Sequence, residues 1–202
     1  METSINKIKG WVKVLPFYLF ALLPLLASCS EADDTVEEFA NWQARNDTYF
    51  AQQYQAHLAA SDASTFVLKK LSLPDSMTVS QAGATNCVLV DVLERGEDGA
   101  SPLYTDTARV HYRAWLIPSD SYPEGYQFDS SYNTDRFDPD LAQPVSFVFT
   151  NVVEGFALAL QHMHRGDRWR VTIPYQMGYG VSDYGSIPAF STLIFDMRLE
   201  DF

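Results

Sequence analysis

The chain has 202 residues, 47% hydrophobic and 14% aromatic, which allows one buried core and leaves room for one domain with an appendage. Its 26 Asp and Glu outnumber 14 Lys and Arg, for a formal net charge of −12 at pH 7. A surface of that sign repels polynucleotides and anionic lipid headgroups, so no nucleic-acid partner is expected and membrane attachment cannot be electrostatic.

Residues 1–28 read as a signal segment. Lys7, Lys9 and Lys13 make a positive start, and Val14–Leu26 (VLPFYLFALLPLL) is an apolar stretch too short to span a bilayer and interrupted by Pro16 and Pro24. Leu26-Ala27-Ser28-Cys29 follows and resembles the bacterial lipobox. That resemblance implies cleavage before Cys29, lipidation of Cys29, and a protein anchored by acyl chains in the bacterial cell envelope, with the outer membrane as the expected surface. An ordinary secretory signal with a chance cysteine is the plainer alternative. Cleavage would remove three lysines and Glu2 and leave the remainder more negative still. Cys87 is the only other cysteine, so lipidation of Cys29 leaves it no intrachain partner. At the start of an apolar strand, Cys87 reads as a small buried hydrophobe.

Residues 29–64 read as a tether and a helix. Thr35 to about Ala60 lacks Gly and Pro, and Phe39, Trp42, Asn46, Phe50, Gln53, Tyr54, His57 and Leu58 follow helical spacing. Glu37 and Glu38 suit the positive end of such a helix. Asn46 and Gln53 interrupt its apolar stripe. The expected use is docking onto the domain, with pairing of two copies into a homodimer as the alternative. Residues 65–84 form a connecting segment, with a strand over Phe66–Leu73 and a turn at Pro74-Asp75-Ser76.

From residue 85 to 202 the pattern changes to period two. Cys87, Leu89, Asp91 and Leu93 alternate with Val88, Val90 and Val92; Val110, Tyr112, Ala114 and Leu116 alternate with His111, Arg113 and Trp115. The same holds for Phe147 and Phe149, for Trp169, Val171 and Ile173, and for Leu193, Phe195, Met197 and Leu199. Such segments are half-buried strands, usually antiparallel. The exception is Glu154–His164, where Phe156, Leu160 and Met163 make one helical stripe ending at His164-Arg165-Gly166. One helix among antiparallel strands must cover the apolar face of the sheet. The expected fold is therefore α+β: a curved antiparallel sheet wrapped on one short helix, with an N-terminal helical extension.

Seven short signals run through this region in order: HYRAW (His111–Trp115), QFDSS (Gln127–Ser131), VVEGF (Val152–Phe156), GDRWRVTIP (Gly166–Pro174), MGYG (Met177–Gly180), SIP (Ser186–Pro188) and LIFDMRL (Leu193–Leu199). Together they resemble the FKBP-type peptidyl-prolyl cis-trans isomerases over roughly Thr85–Phe202. The resemblance implies the same fold and isomerisation of X–Pro bonds in proline-containing polypeptides, without cofactor or metal. It implies catalytic roles for Tyr112, Asp129 and Tyr179. It also implies a prolyl pocket of Phe128, Val152, Val153, Phe156, Ile187 and Phe195, with the Val153 backbone N–H and the Tyr179 hydroxyl holding substrate carbonyls. Asp129 would be nearly buried, with the Tyr112 hydroxyl and Arg136 as partners. The chain departs from the family at Ala114, where a glycine is usual, and at Phe156, where a tryptophan is usual. Val145 stands in place of an aromatic wall, and Phe149-Thr150-Asn151 in place of a Leu-Gly turn. The alternative is a binding or chaperone module of the same fold with little or no turnover.

Overall fold

Period-two alternation becomes a seven-stranded sheet in which every pairing is antiparallel. The computed structural model describes residues 37–97, 99–134 and 141–202. The signal segment, Cys29, the tether and Arg136 lie outside the described residues. The strands are β1 (Thr65–Lys69), β2 (Cys87–Glu94), β3 (Thr107–Leu116), β4 (Gln127–Ser130), β5 (Val145–Val148), β6 (Arg168–Ile173) and β7 (Leu193–Asp201). Their order is β1-β2-β6-β7-β3-β4, and β5 also pairs with β3. One edge of β3 is occupied by β7. Its other edge is divided: Thr107–Val110 pair with β5, and Arg113–Trp115 pair with β4. Tyr112 sits at that division, where two strands can bring aromatic rings to it.

Alternation sets the faces. Val110, Tyr112, Ala114 and Leu116 are buried with Val171, Ile173, Phe195 and Met197 in one core. Helix α3 (Glu154–Leu160) lies on this face, and every residue from Gly155 to Leu160 is buried. A Cβ on Gly155 would stand 2.4 Å from Cγ2 of Ile173 and 3.0 Å from Cγ1 of Val88. Glycine permits this close approach, which seats Phe156 against the sheet. The helix ends four residues before the expected stop at His164. The Asp167 carboxylate accepts the backbone N–H groups of His164 and Gly96, each at 2.7 Å, and so draws the chain into the turn before β6.

Helix α1 (Trp42–Ala59) packs on the opposite face at the β2 end, where Phe50 and Tyr54 cluster with Cys87 and Leu89. The helix docks, and Asn46, one of the two polar interruptions in its stripe, is a docking contact. Asn46 is wholly buried; its Oδ1 accepts the Thr192 backbone N–H at 2.7 Å, and its Nδ2 donates to the Trp42 carbonyl at 2.8 Å. The Trp42 indole donates to Ser191 Oγ at 2.8 Å. The helix starts at Trp42 rather than Thr35. Asn41 adopts a left-handed conformation (φ 52°, ψ 31°) that breaks the run, so Glu37 and Glu38 fall outside the first turn. Strand β1 stops at Lys69 rather than Leu73, because a turn in which Leu73 N–H donates to the Lys70 carbonyl reverses the chain. A single helical turn, α2 (Val79–Ala82), follows with a Thr78–Gln81 capping box. Cys87 is wholly buried, and burial raises its thiol pKa.

Candidate active site

The site begins at Tyr112. Its hydroxyl donates a 2.7 Å hydrogen bond to Oδ2 of Asp129 on β4, in a register where Asp129 stands opposite Ala114. Burial first, and then this bond, push the Tyr112 pKa well above the ordinary tyrosine value, so the group remains a donor. Oδ1 of Asp129 accepts the Ser130 backbone N–H at 2.8 Å. Asp129 is exposed, not nearly buried as expected. Strand β4 is the terminal strand of the sheet path, so water reaches the carboxylate from its open side.

Phe156, in the first turn of α3, forms the floor. Its ring centroid lies 5.1 Å from Phe195, 5.3 Å from Phe147 and 6.3 Å from Tyr112, all edge-on. Phe128 meets Phe195 at 6.0 Å and 90°. Edge-to-face packing leaves ring faces free to line a hollow. That hollow is an open cleft of about 320 Å³. Tyr112, Phe128, Asp129, Val152, Val153, Phe156, Tyr179 and Phe195 all line it. Eight of the nine residues expected around a prolyl pocket are therefore together.

Ile187 is not among the lining residues; its side chain is buried in the core. Its backbone exchanges two 2.9 Å hydrogen bonds with Tyr184, which fixes the loop over the cleft. Ile187 thus meets the cleft only through its backbone bonds to Tyr184, which lines it. Val145 is exposed and does not line the cleft; the aromatic wall is supplied two residues later by Phe147. Phe147, Thr150, Asn151 and Tyr184 are lining residues that the sequence reading did not assign. Phe147 carried a usable signal, since it alternates with Ser146. Tyr184 lies in a turn without periodicity, yet its ring stacks on Tyr179 at 4.3 Å with 9° between planes.

Two donors at the cleft are unspent. Val153 caps α3 in extended conformation, and its backbone N–H has no acceptor among the described residues. The Tyr179 hydroxyl likewise has no hydrogen-bond partner among them, and burial, then Tyr184 and Asp129, raise its pKa. Both can donate to carbonyl oxygens of a bound chain. Among the described residues, no group of three His, Cys, Asp or Glu is placed to hold a metal ion.

Comparison with known proteins agrees with this geometry. The family model for FKBP-type peptidyl-prolyl cis-trans isomerases matches residues 99–200, half of the chain. The chain is 39% identical over 109 residues to the FKBP-type 22 kDa peptidyl-prolyl cis-trans isomerase of Escherichia coli strain K12, covering 54% of this chain and 46% of that protein. It is 33% identical over 135 residues to the macrophage infectivity potentiator of Trypanosoma cruzi, covering 66% and 60%. The chain thus spans about half the length of the curated relatives it matches. In structure it resembles a peptidyl-prolyl cis-trans isomerase from Pseudomonas syringae pv. tomato str. DC3000, with a TM-score of 0.54 over 83% of this chain and 97% of that one. At 23% identity that likeness concerns the fold alone. With its strand order, its ring-lined cleft and the matched family model, the chain belongs to the FKBP-type peptidyl-prolyl cis-trans isomerase family.

Proposed function

We propose that the chain is a peptidyl-prolyl cis-trans isomerase that twists X–Pro bonds of polypeptides in the cleft above Phe156. The observation that carries this reading is the convergence of Tyr112, Phe147, Phe156 and Phe195 on an open hollow edged by two unspent donors. Rotation about an amide faces a barrier of about 18–20 kcal/mol from resonance. The planar amide carries separated charge that water solvates and a ring-lined cleft does not, so the cleft favours the twisted form. The Val153 N–H and the Tyr179 hydroxyl hold flanking carbonyls while the bond between them turns. Tyr112 fixes the Asp129 carboxylate at the rim, near the bond that rotates. No covalent bond forms or breaks, so positioning and desolvation are the whole of the catalytic task.

The first 29 residues support a lipid-anchored protein of the bacterial cell envelope, whose clients would be envelope or surface polypeptides. Cys29→Ser should release it into the soluble fraction; retention of that variant on membranes would overturn the anchor. Pairing through α1 is the weaker use of that helix, since Phe50 and Tyr54 are already buried within one chain.

The exposure of Asp129 and the phenylalanine at position 156 favour one second reading, a module that binds prolyl chains without turning them over. An isomerisation assay on a short X–Pro peptide separates the two. Acceleration by the wild type that falls with Asp129→Ala supports the enzyme; saturable peptide binding without acceleration supports the module.

A further inference from the structure

A second hollow, of about 500 Å³, opens beside the cleft and shares Val152 with it. Its floor is apolar: Phe149 is 1% exposed, and Ala157 and Leu158 of α3 are buried beside it. Leu71 and Tyr104 form its walls and remain 61% and 52% exposed. The Tyr104 ring lies 6.1 Å from that of Phe149. The rim charges cancel, because Lys70 Nζ lies 2.9 Å from Glu154 Oε2. Apolar walls left open to water beside a ligand cleft mark a contact surface rather than core.

We propose that this hollow is a second subsite for the polypeptide whose proline occupies the cleft, taking an apolar side chain a few residues away on one flank. The proposal rests on the reading of the cleft as a prolyl-peptide site. Continuity chooses the occupant: Phe149 floors the second hollow, Thr150 and Asn151 line the cleft, and Val152 belongs to both. An extended chain advances ~3.3–3.6 Å per residue, so a side chain two to four residues from the proline lies ~7–14 Å along. The paired rim offers nothing to a charged side chain, whereas the Phe149 floor suits Leu, Met or Phe. Only one edge of the cleft meets Val152, so the preference belongs to one flank.

The test uses the full chain and unstructured peptides with one X–Pro bond. Each carries Leu or Ser at two to four residues on either the N-terminal or the C-terminal side. Leu should bind about ten-fold tighter than Ser on one flank and equally on the other. The double variant Leu71→Ser/Tyr104→Ser should lose that preference and still turn over a peptide too short to reach the hollow. Equal binding of Leu and Ser on both flanks, with the short peptide still bound, overturns the subsite and leaves the cleft reading intact. A preference that survives in the double variant also overturns it. A dimer that Leu71→Ser dissociates would assign the hollow to a second copy and overturn it as well. Failure to bind any peptide overturns both readings.

Discussion

The Tyr112 hydroxyl, on a side chain 8% exposed, donates at 2.7 Å to a carboxylate of Asp129 that stands open to water. This pair joins the core of the domain to the rim of the cleft, and its two members should respond differently to deletion. Asp129→Ala strands a buried hydroxyl and should cost about 1–3 kcal/mol of stability. Tyr112→Phe removes the donor and leaves the acceptor to solvent, so it should cost about 1 kcal/mol or less. Urea unfolding of the two single variants checks the order; equal losses would count against it.

Tyr179 offers the complementary case. Its hydroxyl has no hydrogen-bond partner among the described residues, so Tyr179→Phe should leave stability within about 0.5 kcal/mol of wild type. If that hydroxyl holds a substrate carbonyl, kcat/KM for an X–Pro peptide should fall by roughly three- to ten-fold, the worth of one hydrogen bond. An unchanged kcat/KM would remove Tyr179 from the mechanism. Because burial raises the pKa of both Tyr112 and Tyr179, neither hydroxyl should contribute an ionisation to the rate profile below about pH 10.

Docking of α1 should be pH-dependent. His57 Nε2 lies 3.4 Å from Asp91 Oδ1, and this contact raises the His57 pKa and lowers that of Asp91. The His57 contribution is complete below its unfolded value of about 6.5 and is lost as pH rises through the raised folded value. The Asp91 contribution is present above about 3.9 and is lost as pH falls through the lowered folded value. The pair therefore stabilises most between about pH 4 and 6.5. Asp91 is 40% exposed, which limits the effect to about 0.2–1 kcal/mol. The difference in unfolding free energy between wild type and His57→Gln should be larger at pH 5 than at pH 8. The reverse order would show that the pair does not form. His111, whose pKa burial lowers, acts in the opposite sense in both proteins and cancels from that difference.

Asn46 ties α1 to the segment leading into β7. Asn46→Ala leaves the Thr192 N–H without its acceptor in a buried setting and should cost about 1–3 kcal/mol by denaturant unfolding. A change below about 0.5 kcal/mol would mean that the helix is not part of the cooperative unit.

Gly155 sets the height of α3 above the sheet. Gly155→Ala places a methyl 2.4 Å from Ile173 Cγ2, and the repacking should cost about 1–3 kcal/mol. Because Phe156 follows directly, the same variant should also weaken prolyl-peptide binding. An undisturbed affinity would separate helix height from cleft shape.

Strands buried on one face and long enough to alternate were readable residue by residue. Tyr112 on β3 and Phe195 on β7 point inward as their neighbours required. Asn46 was harder, because a polar residue in a helical stripe looks like a break until its partner at Thr192, distant in sequence, is known. Strand β4 has four residues and a register shift beside Ala114, too little for a period to declare itself. That is why QFDSS was legible as a motif and not as a strand, and why the exposure of Asp129 was missed. Ile187 and Tyr184 share a turn in which side-chain direction follows from a backbone bridge, which no spacing rule reports. Phe147 and Val145 differ by two positions on one strand, and only the pairing with β3 decides which side chain reaches Tyr112.

The most direct test follows one X–Pro bond by NMR exchange while the protein is titrated in, with the Val153 amide observed in parallel. Exchange between cis and trans should become fast at substoichiometric protein, and the Val153 amide should shift in the same titration. Exchange that stays at the uncatalysed rate while the peptide is demonstrably bound would contradict isomerisation in this cleft.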